Sequence, residues 1–228
     1  MFPGGIIIAT LILKIVFRIL KVWILLSIFG VIIFRFVPFP FTWLMFIRAF
    51  ETDNYAWRYE WVSISNISPN LLKAVVYSED QKFYTHWGFD FESIYHAANE
   101  TITHNRKIGG STITQQTAKN AFLYPARSWL RKLLEAWFTI WIELIWSKER
   151  ILEVYVNVIE MGNGIYGAEA AAQYYWKKPA KKLTAREAAL IAACLPNPRI
   201  YRIQKPSYAI KKRQYWIQEM MRINYLKL

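Results

Sequence analysis

Apolar positions in this chain come either in one unbroken block or at helical spacing, and a sustained alternation of apolar and polar residues is hard to find. The block is Leu20 to Val37, LKVWILLSIFGVIIFRFV, with charges only at Lys21 and Arg35 near its ends. Roughly 20 apolar residues cross the hydrocarbon core of a bilayer as a helix, and long basic side chains at the ends snorkel to the headgroups. Residues 20–37 are therefore predicted to be a transmembrane anchor, preceded by a basic segment, residues 1–19. Lys14, Arg18 and Lys21 place the N-terminus in the cytoplasm and everything after about residue 38 outside. Pro38-Phe39-Pro40-Phe41 stands where a small-residue cleavage site would be expected, so the anchor is read as retained. Residues 38–50 end in FTWLMFIRAF, apolar and aromatic but too short to span. They fit an amphipathic segment at the outer interface or, equally, a core helix of the domain that follows.

Helix start signals recur through residues 51–228. Ser68-Pro69 is an N-cap with proline in the first turn, opening a helix toward Glu79. Asp90 caps a second helix, and a polar stretch from His104 to Lys107 leads into Gly109-Gly110. Ser111 is read as the cap of a third helix carrying Gln115, Gln116 and Lys119. The longest runs from about Ser128 to Ser147, followed by another over Lys148 to Asn157. Gly162 to Gly167 interrupts the pattern before an alanine-rich helix. Thr184 with Glu187 forms a capping box for a helix that must stop near Cys194, because Pro196 and Pro198 cannot continue it. The last helix begins near Pro206 or Ser207. The fold class is mainly α, with little strand.

Composition narrows the function classes. A single cysteine, Cys194, excludes an internal disulfide and a multi-thiol metal site. The net charge of +13 is distributed as +5 over residues 1–50, −2 over 51–120 and +10 over 121–228. Basic zones of this kind attract anionic lipid, nucleic acid or phosphorylated substrates. The predicted topology puts the C-terminal zone, with Lys211, Lys212 and Arg213, outside the cell. It argues against nucleic acid and leaves these three residues to favour anionic lipid through a screened field.

Candidate chemistry lies in polar residues set among apolar ones. Glu79 and Asp80 end a helix, where the macrodipole disfavours negative charge, beside Phe83, His86 and Trp87. Such a carboxylate suits general acid or base catalysis, although a solvated acidic pair at a helix end is the commoner explanation. Arg131 and Glu135 share one face of the long helix at i and i+4, with Glu143 near the same stripe. That spacing is usually a surface ion pair. Gly109 to Thr112 before a helix can offer free N–H groups to an anion, or be an ordinary cap. His86 reads as a hydrogen-bonded buttress, since no second histidine stands at ligand spacing.

Five segments taken together are more specific: SEDQKFYTHWG (78–88), GGSTITQQTAKN (109–120), RKLLE (131–135), KERILEVYVN (148–157) and GNGIYGAEAAAQYYW (162–176). In order and spacing they resemble the signature blocks of family 51 glycosyltransferases, the peptidoglycan glycosyltransferases that polymerise lipid II. Tyr77 and Trp176 depart from the pattern as apolar changes only. The resemblance implies a lysozyme-like helical domain over residues 51–228, with a membrane-facing smaller lobe and a flexible stretch before Gly109 bordering the cleft. As no sequence follows residue 228, it is the form without a transpeptidase domain that is expected.

The resemblance makes Glu79 the general base on the acceptor sugar hydroxyl, with Glu135 as a second catalytic acid orienting the pyrophosphate side. Lys119, Arg131 and Lys132 are assigned to the leaving undecaprenyl pyrophosphate, and Thr112, Gln116 and Asn120 to the cleft lining. Asp80, Phe83 and His86 are grouped with the substrate-binding residues as the shell around Glu79. No cofactor is required with certainty; Mg2+ or Mn2+ near Glu135 is the candidate. The implied partners are lipid II, the growing glycan chain, the membrane and other cell-wall synthesis or division proteins, without nucleic acid. The implied location is the bacterial cytoplasmic (inner) membrane. The competing reading is a lysozyme-like muramidase, which needs no cations for a diphosphate.

Overall fold

The computed structural model describes residues 3–51, 57–104, 109–126 and 128–223. The chain divides into two compact units, Met1–Val37 and Pro38–Leu228. The first consists of one long helix, α1 (Pro3–Phe34), whose segment Thr10–Phe34 is long and apolar enough to cross a membrane. Helical structure thus begins well before residue 20, and Lys14 and Arg18 sit inside the apolar span, not ahead of it. The run GIIIATLILKIVFRIL, which contains both cations, is itself made of aliphatic residues, so nothing in it ends the helix.

The second unit is mainly α. It comprises α2 (Trp43–Glu51), β1 (Arg58–Tyr59), α3 (Pro69–Glu79), α4 (Phe91–His104), α5 (Ile113–Phe122), α6 (Trp129–Ile145) and α7 (Lys148–Val158). There follow β2 (Glu160–Gly162), β3 (Ile165–Tyr166), α8 (Ala168–Trp176), α9 (Ala185–Cys194) and α10 (Tyr208–Ile223). The residues between His104 and Gly109, read from sequence as a stretch bordering the cleft, lie outside the described residues.

Caps set the helix starts. Ser68 accepts from Asn70 N–H and donates its hydroxyl to Leu183 C=O at 2.7 Å, so the start of α3 is tied to the chain before α9. The α5 cap is Thr112 and not Ser111: its hydroxyl accepts from Gln115 N–H, while the Gln115 side chain accepts from Thr112 N–H, a capping box. Ser128, Ser147 and Thr184 cap α6, α7 and α9.

Helices α3, α9 and α10 pack on one another, and α5 packs between α6 and α7. Leu71, Ala74, Val75 and Val76 of α3 are fully buried, each large aliphatic side chain stabilising the fold by about 1.5–3 kcal/mol. The strands form a sheet in the order β1-β3-β2, with β1 parallel and β2 antiparallel to β3. At two or three residues apiece they are too short to show a period of two, which is why the sequence registers only an interruption there.

Two helices carry apolar residues on both faces. In α2, Met45 and Ala49 are buried while Trp43, Phe46 and Phe50 are exposed, so the helix packs on the domain by one face and presents apolar residues outward on the other. In α6, Phe138, Thr139 and Ile142 point inward while Trp129, Leu130, Leu133, Ile140 and Leu144 are exposed along the other side.

Candidate active site

The last residue of α3, Glu79, projects its carboxylate against α5 and α10. Its side chain is only 12% exposed. Oε2 accepts from Gln116 Nε2 at 3.2 Å, Oε1 accepts from Ser78 Oγ at 3.1 Å, and Arg213 Nη2 lies 3.5 Å from Oε1. The Gln116 amide is itself oriented, because its oxygen accepts from Tyr155 O–H at 3.1 Å. Tyr155 is wholly buried, and burial first, then the negative charges of Glu79 and Asp80, push its phenol well above the usual range, so it stays a donor.

Asp80 does a different job. His86 Nε2 lies 2.9 Å from both of its oxygens, and Ile113 N–H donates to Oδ2 at 2.9 Å. An ionised carboxylate has no hydrogen to offer, so Nε2–H is the donor. The Ile113 amide belongs to the first turn of α5, where N–H groups lack intrahelical partners and a negative charge is favourable. Asp80 therefore pins the start of α5, and with it Gln116, Lys119 and Asn120, to the end of α3. Phe83 is fully buried, its ring 4.7 Å from Lys148 Nζ. His86 borders a separate small cavity with Glu143 and Lys148. Phe83 and His86 line neither cavity beside Glu79: His86 meets Asp80, and the Phe83 ring packs on His86.

Glu79 stands where two cavities meet. One, of about 340 Å³, is lined by Asp80, Gln81, Lys82, Asp90, Ser93 and Gly110. The other, of about 770 Å³, is lined by Gln116, Lys119, Asn120, Glu160, Arg213 and apolar residues including Leu44 and Pro196. Ser78, Glu79, Gly109 and Ser111 belong to both. Thr112 reaches only the smaller, and its hydroxyl is occupied: it donates to Gly88 C=O at 2.7 Å and caps α5.

Lys119 is the cation in the larger cleft that has no ion pair or hydrogen bond from its side chain among the described residues. Burial lowers its pKa; Glu135 and Glu79 oppose that shift, while Arg131 and Lys132 reinforce it. Arg131 and Lys132 lie next to this cation on α6 but face Glu135, which accepts from Arg131 Nη1 at 2.6 Å and also from Lys132 Nζ. Glu135 is buried beneath both. This donor set does not fit a divalent cation: both carboxylate oxygens are engaged by cations, and no group of three or more His, Cys, Asp or Glu side chains converges among the described residues. Glu143, placed on the Arg131–Glu135 stripe from its spacing, instead accepts from Thr114 and Lys148. It lies two turns beyond Glu135, and the helix carries it to another cluster.

Arg213 and Glu160 escaped the sequence reading. Arg213 was grouped with Lys211 and Lys212 as a generic basic patch, yet its Nη2 donates to Ser78 C=O at 3.2 Å and Ser78 Oγ at 3.0 Å, beside Glu79. Lys211 and Lys212 are exposed. Helical spacing holds the missed signal, since Ile210 and Ile217, three residues before and four after Arg213, mark the buried face of α10.

A half-buried carboxylate between two cavities, with a lysine unpaired among the described residues in one of them, has the makings of an acid–base site beside a cation. The comparisons give the class its family. The family model described as "Transglycosylase" matches residues 47–222. A Haemophilus influenzae protein named biosynthetic peptidoglycan transglycosylase is 53% identical over 196 residues, covering 83% of this chain and 80% of its own. Proteins of the same name from Bdellovibrio bacteriovorus, 53% identical over 188 residues (81% of this chain, 75% of theirs), and Bacteroides thetaiotaomicron, 50% over 201 residues (86% and 81%), agree. The chain belongs to the transglycosylase family, and it is an enzyme.

Proposed function

We propose that this enzyme is a peptidoglycan glycosyltransferase that polymerises lipid II in cell-wall synthesis. The observation that carries the reading is Glu79 at the junction of two cavities, with Lys119 unpaired on one side. The Glu79 carboxylate takes the proton of the acceptor sugar hydroxyl as that oxygen attacks the anomeric carbon of the donor. The bond from that carbon to the diphosphate oxygen breaks, and undecaprenyl diphosphate leaves with the electron pair. One displacement inverts the centre and needs no covalent intermediate with the enzyme. Negative charge grows on the leaving diphosphate, and Lys119, with Arg131 and Lys132 beside it, supplies the fixed cations that stabilise it. Glu135 holds Arg131 and Lys132 in place. Gln116 and Arg213 aim the base.

The substrate's lipid also explains the outward apolar residues. A single-pass anchor with its N-terminus inside puts the domain on the outer face of the cytoplasmic membrane. There Trp43, Phe46 and Phe50 of α2, and the exposed stripe of α6, lie in the interface. The test is incubation of the full chain in detergent with labelled lipid II. Wild type makes polymer, and Glu79→Gln loses about 10²- to 10⁴-fold in rate while keeping its melting temperature. Degradation of finished sacculi in place of polymer formation would mean a hydrolase, and near wild-type polymerisation by Glu79→Gln would remove Glu79 from the role of base.

A further inference from the structure

The larger cleft holds a second carboxyl group besides Glu79. Glu160 opens β2, is only 7% exposed, and shares the cleft wall with Ile159, Leu195, Pro196 and Pro198. Among the described residues its side chain accepts one hydrogen bond, from Gly164 N–H to Oε1 at 3.2 Å. It forms no ion pair within 4 Å among the described residues. A buried carboxyl with so little satisfaction is costly in an apolar wall, and it calls for donors from outside the chain.

The charges around the cleft fall into two groups. Those acting on Lys119 are Glu135, Arg131, Lys132 and Glu79, a cluster with an excess of cations near its α6 side. Those acting on Glu160 are Arg48, Arg199 and Glu51, and the two arginines are already shared by Glu51. One end of the cleft is thus built for an anion. At the other, an ionised Glu160 repels a diphosphate, and the group that fits it is neutral and rich in hydrogen-bond donors.

We propose that Glu160 is a specificity residue of the transfer site, its carboxylate accepting hydrogen bonds from hydroxyl or amide N–H groups of the saccharide at the end of the cleft away from the diphosphate. The inference rests on the reading of the cleft as the seat of a diphosphate-linked saccharide. With an excess of cations around Lys119 and a charge-balanced group around Glu160, in which Arg48 and Arg199 are offset by Glu51 and Glu160, the diphosphate is drawn to the Lys119 side and Glu160 sets the register of the sugar against Glu79.

Burial raises the pKa of Glu160 from a glutamate's ordinary value, partly opposed by the Gly164 N–H and by Arg48 and Arg199. The other titratable groups facing it are Glu51 on α2, Tyr166 on β3 and Tyr175 on α8. The binding form is the carboxylate, so KM of the wild type should rise as pH falls through this titration. In Glu160→Gln, which keeps an acceptor for Gly164 N–H, KM should be high and flat with pH.

The experiment measures kcat and KM for lipid II against pH in the full-length wild type, Glu160→Gln and Glu160→Ala, together with inhibition by inorganic diphosphate. Loss of a charged acceptor is expected to raise KM about 10- to 100-fold, with kcat changed less. Diphosphate inhibition should be unaltered, because that anion binds at the Lys119 end. Equal weakening of saccharide and diphosphate binding would indicate a general loss of cleft structure and overturn the inference, as would wild-type KM in both variants. Wild-type protein that makes no polymer sinks the functional reading and this inference with it, whereas normal wild-type turnover with unaffected variants sinks this inference alone.

Discussion

Replacing Lys119 by methionine separates what the cation does for catalysis from what it costs the fold. Methionine keeps the length and apolar stem of the side chain and removes only the charge. In the free protein that charge is half-buried in the cleft wall and unpaired among the described residues, and its pKa is lowered chiefly by desolvation. Burying an uncompensated polar or charged group costs about 1–3 kcal/mol in mutational series, so Lys119→Met should be more stable than wild type by that order. For a domain of this size each kcal/mol moves the melting temperature by about 2–4 °C.

The sign of the pH dependence follows from the same shift. A lysine whose folded pKa lies below its unfolded one carries its full penalty at pH below the folded value. Between the two values the unfolded chain binds more protons, so stability rises with pH, and above the unfolded value, about 10.4, the penalty is gone. The stability advantage of Lys119→Met should therefore be constant near neutrality and shrink as pH rises toward and past 10. Polymerisation should fall about 10²- to 10³-fold, the usual loss on removing one preorganised stabiliser of developing charge. Inorganic diphosphate should raise the melting temperature of wild type and not of the variant. Circular dichroism melts in detergent across pH, with and without diphosphate, measure all of this. A variant that melts below wild type at pH 7 and still turns over normally would refute the reasoning at both ends.

Arg213→Gln should lower kcat about 10- to 100-fold, the worth of a charge-assisted hydrogen bond, whereas Lys211→Gln with Lys212→Gln should keep turnover in detergent and lose only salt-sensitive binding to anionic vesicles; equal behaviour of the two variants in both assays would return Arg213 to the surface patch. Tyr155→Phe frees the Gln116 amide, and a loss of roughly 2- to 10-fold in kcat with little change in melting is expected from one neutral hydrogen bond; steady-state kinetics of the purified variant decide it. Gly88 has φ +78°, and a Cβ there would stand 2.7 Å from Thr139 Cγ2 and 2.8 Å from Glu143 Cγ. Gly88→Ala should cost about 1–3 kcal/mol and loosen the α5 cap held by Gly88 C=O, which thermal melting would register.

Helix starts were legible because their signals are local. Proline with serine before α3, and the Thr184–Glu187 box before α9, depend on residues within one turn. Serine and threonine stand side by side before α5, and the box that selects Thr112, with Gln115 three residues on, was as local a signal as the one at Thr184. What no local window contains is the second bond of the Thr112 hydroxyl, to Gly88 C=O across 24 positions. The site follows the same division. Glu79 stands out as a carboxylate at a helix end among aromatics, and the family blocks add Lys119, Arg131 and Lys132. Arg213 comes from 135 positions beyond Ser78, on a helix whose basic residues look alike until packing selects one face.

The adjacency of Glu79 and Asp80 shows why a motif names residues better than roles. Both carboxylates leave the end of α3, one residue apart, and nothing in SEDQKF separates them. Backbone geometry does, because α3 ends between them: Glu79 is its last helical residue, and Asp80 departs from helical angles at φ −161° and ψ 80°. That turn sends Asp80 to the first N–H of α5 and to His86, two donors that hold it in place. Glu79 keeps the helical direction and meets a side-chain amide, a hydroxyl and a guanidinium at the mouths of both cavities. A backbone N–H in the first turn of a helix ties Asp80 to that helix, whereas Glu79 meets side-chain donors only, which position it and leave lone pairs available for a proton. Asp80, tied to the start of α5, holds the site together, and Glu79, reached by side chains alone, is the carboxylate to which the proposed mechanism gives the proton transfer.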